Sequence, residues 1–246
     1  MCTRIVNAIE AEGSIPFSRF MAMALYEPGL GYYVNGLHKF GAAGDFVTAP
    51  EQGRLFALAI ALQLDRAAQA LGSDWTVLEL GPGSGALARD VLLQLEHKPA
   101  KYLLLEPSAP LREVQRETLG DLPQDLLARV DWIAAPPEAK FSGAVIANEV
   151  IDALPIERFR IDESGIEQCR VVVENELFAW SGAPAQGRLL ATLEHALSGL
   201  PEPLGSGYVS EICVDLPAWL ATVTESLDRG VVLLADYGYP RREYYH

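Results

Sequence analysis

The segment Glu79-Leu80-Gly81-Pro82-Gly83-Ser84-Gly85 sets a carboxylate and three glycines within seven residues. Val77, Leu78 and Leu80 read as a short buried strand, interrupted only by Glu79. Leu87, Val91 and Leu95 then recur at helical spacing. Strand, glycine turn and helix make the first βα unit of a nucleotide-binding sheet. The glycines admit positive φ and let a ligand approach backbone that carries no Cβ.

Two ligand classes use such a turn. Gly81, Gly83 and Ala86 satisfy the relaxed dinucleotide pattern G-x-G-x-x-G/A. Pro82, however, offers no N–H to a pyrophosphate, and Glu79 would bring a carboxylate towards two phosphate charges. A cationic ligand reverses that sign, since the sulfonium and ammonium of S-adenosylmethionine gain from a nearby carboxylate. The turn favours the methyl donor over a dinucleotide. A ligand-free structural turn is the remaining alternative, against which stands the loss of local stability from three glycines without evident packing reward.

Further candidates lie at strand ends. Glu106 closes the second apolar strand, KYLLLEPS, where a carboxylate accepts from ribose hydroxyls in such folds. Asp131 and Trp132 sit in the third strand, where an acid accepts from an adenine amino group and an aromatic stacks on the ring. Asn148, Glu149 and Asp152 follow the fourth strand in NEVIDALP, beside the reactive end of a cofactor held at Gly81. Glu149 and Asp152 share a face if the segment is helical, and together they suit a guanidinium held by bidentate bonds. Each candidate also has a structural reading, as a solvated strand-end acid, a core aromatic or a turn closed by Pro155.

The elements that must position these residues follow from periodicity. Apolar strands alternate with helical stretches at 85–96 and 110–119, and VVLLAD forms a fifth strand. This pattern predicts an α/β fold with a doubly wound, mostly parallel Rossmann-like sheet and its ligand crevice at the strand carboxyl ends. IERFRI, EQCRVVV and ELFAW predict an antiparallel insertion at about 156–180. Further elements are a helix at 187–197, a strand at 208–213 and a helix at 217–227. Upstream, helices are expected at 3–12 and from Pro16, the latter packing Phe17, Phe20, Met21, Ala24 and Leu25 on the main sheet. The aromatics of YEPGLGYYV either pack or line a pocket mouth. Thr48 and Glu51 have capping-box spacing before Leu55, Leu58, Ala59 and Leu62. Asp45, just before that helix start, is a further ligand candidate. Residues 1–72 are thus read as an N-terminal helical region packing over the cofactor site, and 73–246 as the core with its insertion.

Composition narrows the partners. The chain has 246 residues and a net charge of −14, which disfavours nucleic acid and suits a basic peptide or protein. No apolar run reaches the roughly 20 residues of a bilayer span, and no Cys/His cluster predicts a metal. Cys2, Cys169 and Cys213 read as free thiols in a reducing compartment, and the N-terminus lacks signal- or transit-peptide character. A cytoplasmic location is expected. Oligomeric state is not legible.

GDFVTAPE, VLELGPGSGAL, NEVIDALP and LLADYG, in this order between about residues 15 and 238, resemble the MidA family. These are methyltransferases from bacteria and mitochondrial complex I assembly factors. The resemblance implies a class I methyltransferase fold using S-adenosylmethionine. For the mitochondrial relatives it also implies symmetric dimethylation of an arginine on a complex I subunit. By position it makes Gly81, Gly83 and Gly85 the donor-binding turn, with Asn148, Glu149 and Asp152 the motif beside it. Ser84 departs from members that have Arg there. The resulting expectation is an S-adenosylmethionine-dependent methyltransferase acting on arginine in a protein, with Glu149 or Asp152 orienting the nucleophile. Its rivals are an assembly chaperone that holds the donor structurally, and an NAD-dependent oxidoreductase. Because class I sheets resemble one another in adding two closing strands after the fifth, VVLLAD is expected to be an apolar edge, and the chain a fragment lacking those strands.

Overall fold

The computed structural model describes residues 1–33 and 53–245. The chain begins α1 (Cys2–Glu12), β1 (Ile15–Pro16), α2 (Phe17–Tyr26), α3 (Arg54–Leu71), β2 (Thr76–Leu80) and α4 (Ala86–Gln94). It continues β3 (Lys101–Leu105), α5 (Ala109–Leu119), α6 (Gln124–Leu127), β4 (Val130–Ile133) and β5 (Phe141–Asn148). Then come β6 (Glu157–Asp162), β7 (Gly165–Glu174), β8 (Leu177–Pro184), α7 (Gly187–Leu197) and β9 (Val209–Ile212). The last elements are α8 (Leu216–Thr224), β10 (Leu227–Ala235) and α9 (Arg241–Tyr244). Asp45, Thr48 and Glu51 lie outside the described residues.

Two compact units result, one made of residues 36–152 and 218–236, the other of 1–35, 153–217 and 237–246. The first is built on an all-parallel sheet in the order β10-β5-β2-β3-β4. Strand alternation sends Val77, Tyr102, Leu104, Ala144 and Ile146 to one face, against α3 and α4. Leu78, Leu80, Leu103, Val145 and Ala147 go to the other face, against Trp219, Leu220 and Val223 of α8. Burial on both faces is why these strands are unbroken apolar runs. Strand order reverses between β2 and β5, which makes their carboxyl ends the topological switch point of a doubly wound sheet. β10 terminates this order, pairing β5 alone among the described residues.

Helix α3 leaves three of its leucines at the surface and buries a mainly alanine stripe. Ala57, Ala61, Leu64 and Ala68 are buried, whereas Leu55 is 83% and Leu62 52% exposed. Ala57, Ala61 and Ala68 are small enough for close contact with α4, and Leu64 fills the core beside them.

The second unit corrects three expectations. Its antiparallel sheet runs β1-β7-β6-β9, with β8 on the other side of β7. The insertion therefore reaches Pro184 and recruits β9 and the N-terminal Ile15–Pro16, beyond the expected 156–180. Helix α2 packs on β6 and β7 of this sheet rather than on the parallel one, with Ile5, Ile9, Ile15, Val171, Phe17, Phe20 and Met23 in a shared core. The expected 1–72 region is thereby divided, with α1, β1 and α2 in this unit and α3 in the other. The β7–β8 turn places Asn175 (φ 52°) and Glu176 (φ 65°) in the left-handed region, the geometry that suits hairpin twist. In YEPGLGYYV the described aromatics pack on one another, Tyr26 stacking on Tyr33 with centroids 5.6 Å apart.

Candidate functional site

All three glycines of the turn after β2 have positive φ: 57° at Gly81, 55° at Gly83 and 86° at Gly85. Gly85 N donates to Pro82 O (2.8 Å), closing the turn ahead of α4. Two of the glycines are also required by packing, which the sequence did not reveal. A Cβ on Gly85 would lie 2.7 Å from Leu119 Cδ1, and one on Gly81 would lie 2.9 Å from Val150 Cγ2. Local strain at Gly81 and Gly85 thus has a packing reward. The Gly83 carbonyl is held by Gln115 Nε2 at 2.9 Å.

Glu106 lies beside this turn. It is buried, and its Oε1 accepts from Ser108 N (2.8 Å) while Oε2 accepts from Gln115 Nε2 (3.3 Å). Burial pushes its carboxyl pKa up, opposed by those two hydrogen bonds and the Arg112 charge. Each oxygen keeps a lone pair for a hydroxyl donor. Trp132 completes the group, its indole N–H donating to Gln115 Oε1 (3.0 Å) and its ring lying under Arg116 at 5.1 Å. The structure thus joins Gly83, Glu106 and Trp132 through Gln115. Sequence reading missed that residue; a polar side chain one helical turn before buried Leu119 was the available signal.

Glu79 and Asp131 stand elsewhere. Glu79 is 2% exposed, and its Oε2 accepts from the Tyr102 hydroxyl at 2.6 Å. Burial raises its pKa to about 7, with the Tyr102 bond working in the opposite direction. A sealed carboxyl half-neutral near pH 7 is a support beneath the turn, and a weaker cation partner than expected. Asp131 points to the face opposite Trp132, is exposed, and pairs with Lys101 Nζ at 3.5 Å. Lys101 begins β3, so this carboxylate is held towards the amino-terminal side of the sheet, away from an adenine site at the carboxyl ends.

Asn148 ends β5, pairing in register with Ala235 of β10, and β5 neighbours β2 as expected. The following residues form an irregular turn rather than a helix, so Glu149 and Asp152 do not share a helical face. Glu149 adopts φ 51°, a left-handed conformation costly for a residue with a Cβ. Its N–H donates to Ala235 O (2.9 Å). Asp236 then pins the rest of the turn, Oδ2 accepting from Ile151 N (2.8 Å) and Asp152 N (3.2 Å). Asp236 lies in LLADYG, and no local pattern marks its role because the turn it holds is some 85 residues away in sequence. Val150 from the same turn rests against Gly81. The glycine turn and the acidic turn therefore meet at the switch point.

These residues fit an adenosyl group bearing a positive charge: a glycine turn in left-handed backbone, a buried diol acceptor with spare lone pairs, and carboxylates on the adjoining turn. A family model for S-adenosyl-L-methionine-dependent methyltransferases, Methyltransf_28, matches residues 59–246. A crystal structure from Burkholderia thailandensis with S-adenosyl-homocysteine bound superposes at a TM-score of 0.89, with 36% identity over 100% of this chain and 64% of that one. The mitochondrial protein arginine methyltransferase NDUFAF7 homolog of Drosophila melanogaster is 27% identical over 94% of this chain and 58% of its own length. For NDUFAF7 of Danio rerio the figures are 27%, 96% and 61%. The chain spans about three-fifths of the length of these relatives. Among the described residues no helix is long and apolar enough to cross a membrane. The chain belongs to this family of S-adenosyl-L-methionine-dependent methyltransferases.

Proposed function

We propose that this chain binds S-adenosylmethionine at the Gly81–Gly85 turn and methylates an arginine side chain of a protein. The observation that carries the reading is the placement of Glu149, held in left-handed backbone on the turn that abuts Gly81. Strain of this kind persists where the surroundings over-determine a residue, and it concentrates at reacting centres. The names of the NDUFAF7 relatives support arginine and a protein acceptor, as does the net charge of −14, which attracts a basic segment.

The bound donor supplies an electrophilic methyl group. An acceptor guanidinium nitrogen, aligned by Glu149 or Asp152, directs its lone pair at that carbon while the carbon–sulfur bond breaks towards sulfur. The nitrogen's proton passes to one of these carboxylates and on to water. Glu106 holds the ribose hydroxyls, and Asn148, at the end of β5, contributes to the donor side. Incubation with tritiated S-adenosylmethionine and a respiratory quinone-reductase subunit should put label on arginine, recovered after acid hydrolysis. Donor binding with no transfer would instead support an assembly factor that keeps the donor as a structural ligand. NADH binding without donor binding would overturn the cofactor assignment.

A further inference from the structure

We infer that Gln115 is the positioning residue of the donor site, orienting the Glu106 carboxylate and the Gly83 carbonyl with a single buried amide. The inference rests on the donor reading given above and adds to it a residue outside the glycine turn and the strand ends. Gln115 is 0% exposed and lies in the middle of α5. Its Nε2 donates to Gly83 O (2.9 Å) and to Glu106 Oε2 (3.3 Å), and its Oε1 accepts from Trp132 Nε1 (3.0 Å). The amide orientation is forced, since only NH2 can serve a carbonyl and a carboxylate, and only oxygen can serve an indole N–H.

Three elements converge on this one side chain. Gly83 belongs to the turn after β2, Glu106 to the end of β3, and Trp132 to β4. The backbone already ties these elements together, Glu106 N donating to Ile133 O (3.0 Å) and Gly81 N to Leu105 O (3.4 Å), and the amide adds the side-chain link that sets the Glu106 carboxylate and the Trp132 indole against the Gly83 carbonyl. A carboxylate that must accept two hydroxyls in a set geometry needs its own rotation stopped. Ser108 N–H at one oxygen and Gln115 at the other do this. The glutamine backbone and stem also meet Gly85, whose hypothetical Cβ would approach Gln115 Cα and Cγ at 3.4 Å. Side chain and turn are therefore packed as one piece.

The expected signature is loss of ribose discrimination, which general loosening of the fold would not produce. In the unsubstituted chain, S-adenosylhomocysteine should bind about tenfold or more tightly than its 2′,3′-dideoxy analogue, because two hydroxyls meet an oriented carboxylate. Q115M keeps the length of the side chain and removes both bonding roles. It should weaken S-adenosylhomocysteine by about tenfold while leaving the dideoxy analogue within about twofold, so the discrimination collapses. Q115E keeps the acceptor for Trp132 but sets a carboxylate against Glu106, and should lower S-adenosylhomocysteine affinity further. Calorimetric titration of both ligands, with circular dichroism to verify folding, reads these outcomes. If Q115M is unfolded, Q115E carries the same comparison of ligands. Undiminished discrimination in a folded variant overturns the inference and leaves the donor site standing. An unsubstituted chain that binds neither ligand overturns the donor reading, and this inference with it.

Discussion

The Tyr102 hydroxyl donates to Glu79 Oε2 across 2.6 Å, linking two parallel strands inside a sheet where both side chains are sealed from solvent. The pair lies directly beneath the glycine turn, since Glu79 precedes Gly81 by two residues. Neutral Glu79 satisfies the packing at the least electrostatic cost, which is why burial raises its pKa from 4.5 to about 7.

Stability should therefore depend on pH with a definite sign. The folded state holds the Glu79 proton more tightly than the unfolded chain does. The resulting stabilisation is fully present below about pH 4.5 and is lost as pH rises to about 7. At about 1.4 kcal/mol per pKa unit, the loss amounts to about 3 kcal/mol. E79Q removes this titration and still accepts from Tyr102. Urea unfolding should find E79Q gaining on the unsubstituted chain between pH 5 and pH 8, and parallel stability curves would show that Glu79 is ionised in the fold.

The two glycines Gly83 and Gly85 should fail in different ways. G85A forces a Cβ against Leu119 and Gln115 in a left-handed position, so it should cost about 1–3 kcal/mol of stability. G83V should abolish donor binding by setting a branched side chain on the approach to the backbone. Circular dichroism must show that the G83V fold is kept. Unaltered S-adenosylhomocysteine affinity in folded G83V would place the donor elsewhere.

Glu149 allows chemistry and strain to be separated. E149Q keeps the shape and removes the charge, and methyl transfer should fall by about 10² or more with donor affinity little changed. E149G and E149A both remove the carboxylate, but only glycine relieves the left-handed backbone at φ 51°. E149G should exceed E149A in stability by about 1 kcal/mol. Equal transfer rates for E149Q and the unsubstituted chain would remove Glu149 from the mechanism.

The β7–β8 hairpin offers a stabilising change in the antiparallel unit, which does not contain the glycine turn. Asn175 and Glu176 both have positive φ, and glycine is favoured at the second of such positions. E176G should raise stability by about 1 kcal/mol, read as a higher urea midpoint at unchanged slope.

Periodicity was enough to locate the parallel strands, because a strand buried on both faces must be apolar throughout and the glycine turn marks where the first one ends. NEVIDALP fell beside the glycine turn for a topological reason: right-handed crossovers and a reversal of strand order leave β5 next to β2. What local pattern does not carry is long-range pairing. Ile15–Pro16 is two residues long and gains its strand character only by pairing with Val171 and Arg170, so local pattern does not reveal which sheet the N-terminal helices cover. Leu55 and Leu62 are apolar at helical spacing, yet the buried side of α3 is Ala57, Ala61, Leu64 and Ala68. Residue type alone marks Glu79 and Asp131 as ligand candidates. The direction of each side chain, one sealed against Tyr102 and the other drawn to Lys101, was decided by neighbours more than 20 residues away in sequence. Gln115 carried no motif at all. Its significance exists only where three separate loops and strands converge on one amide, and that convergence is a property of the tertiary structure.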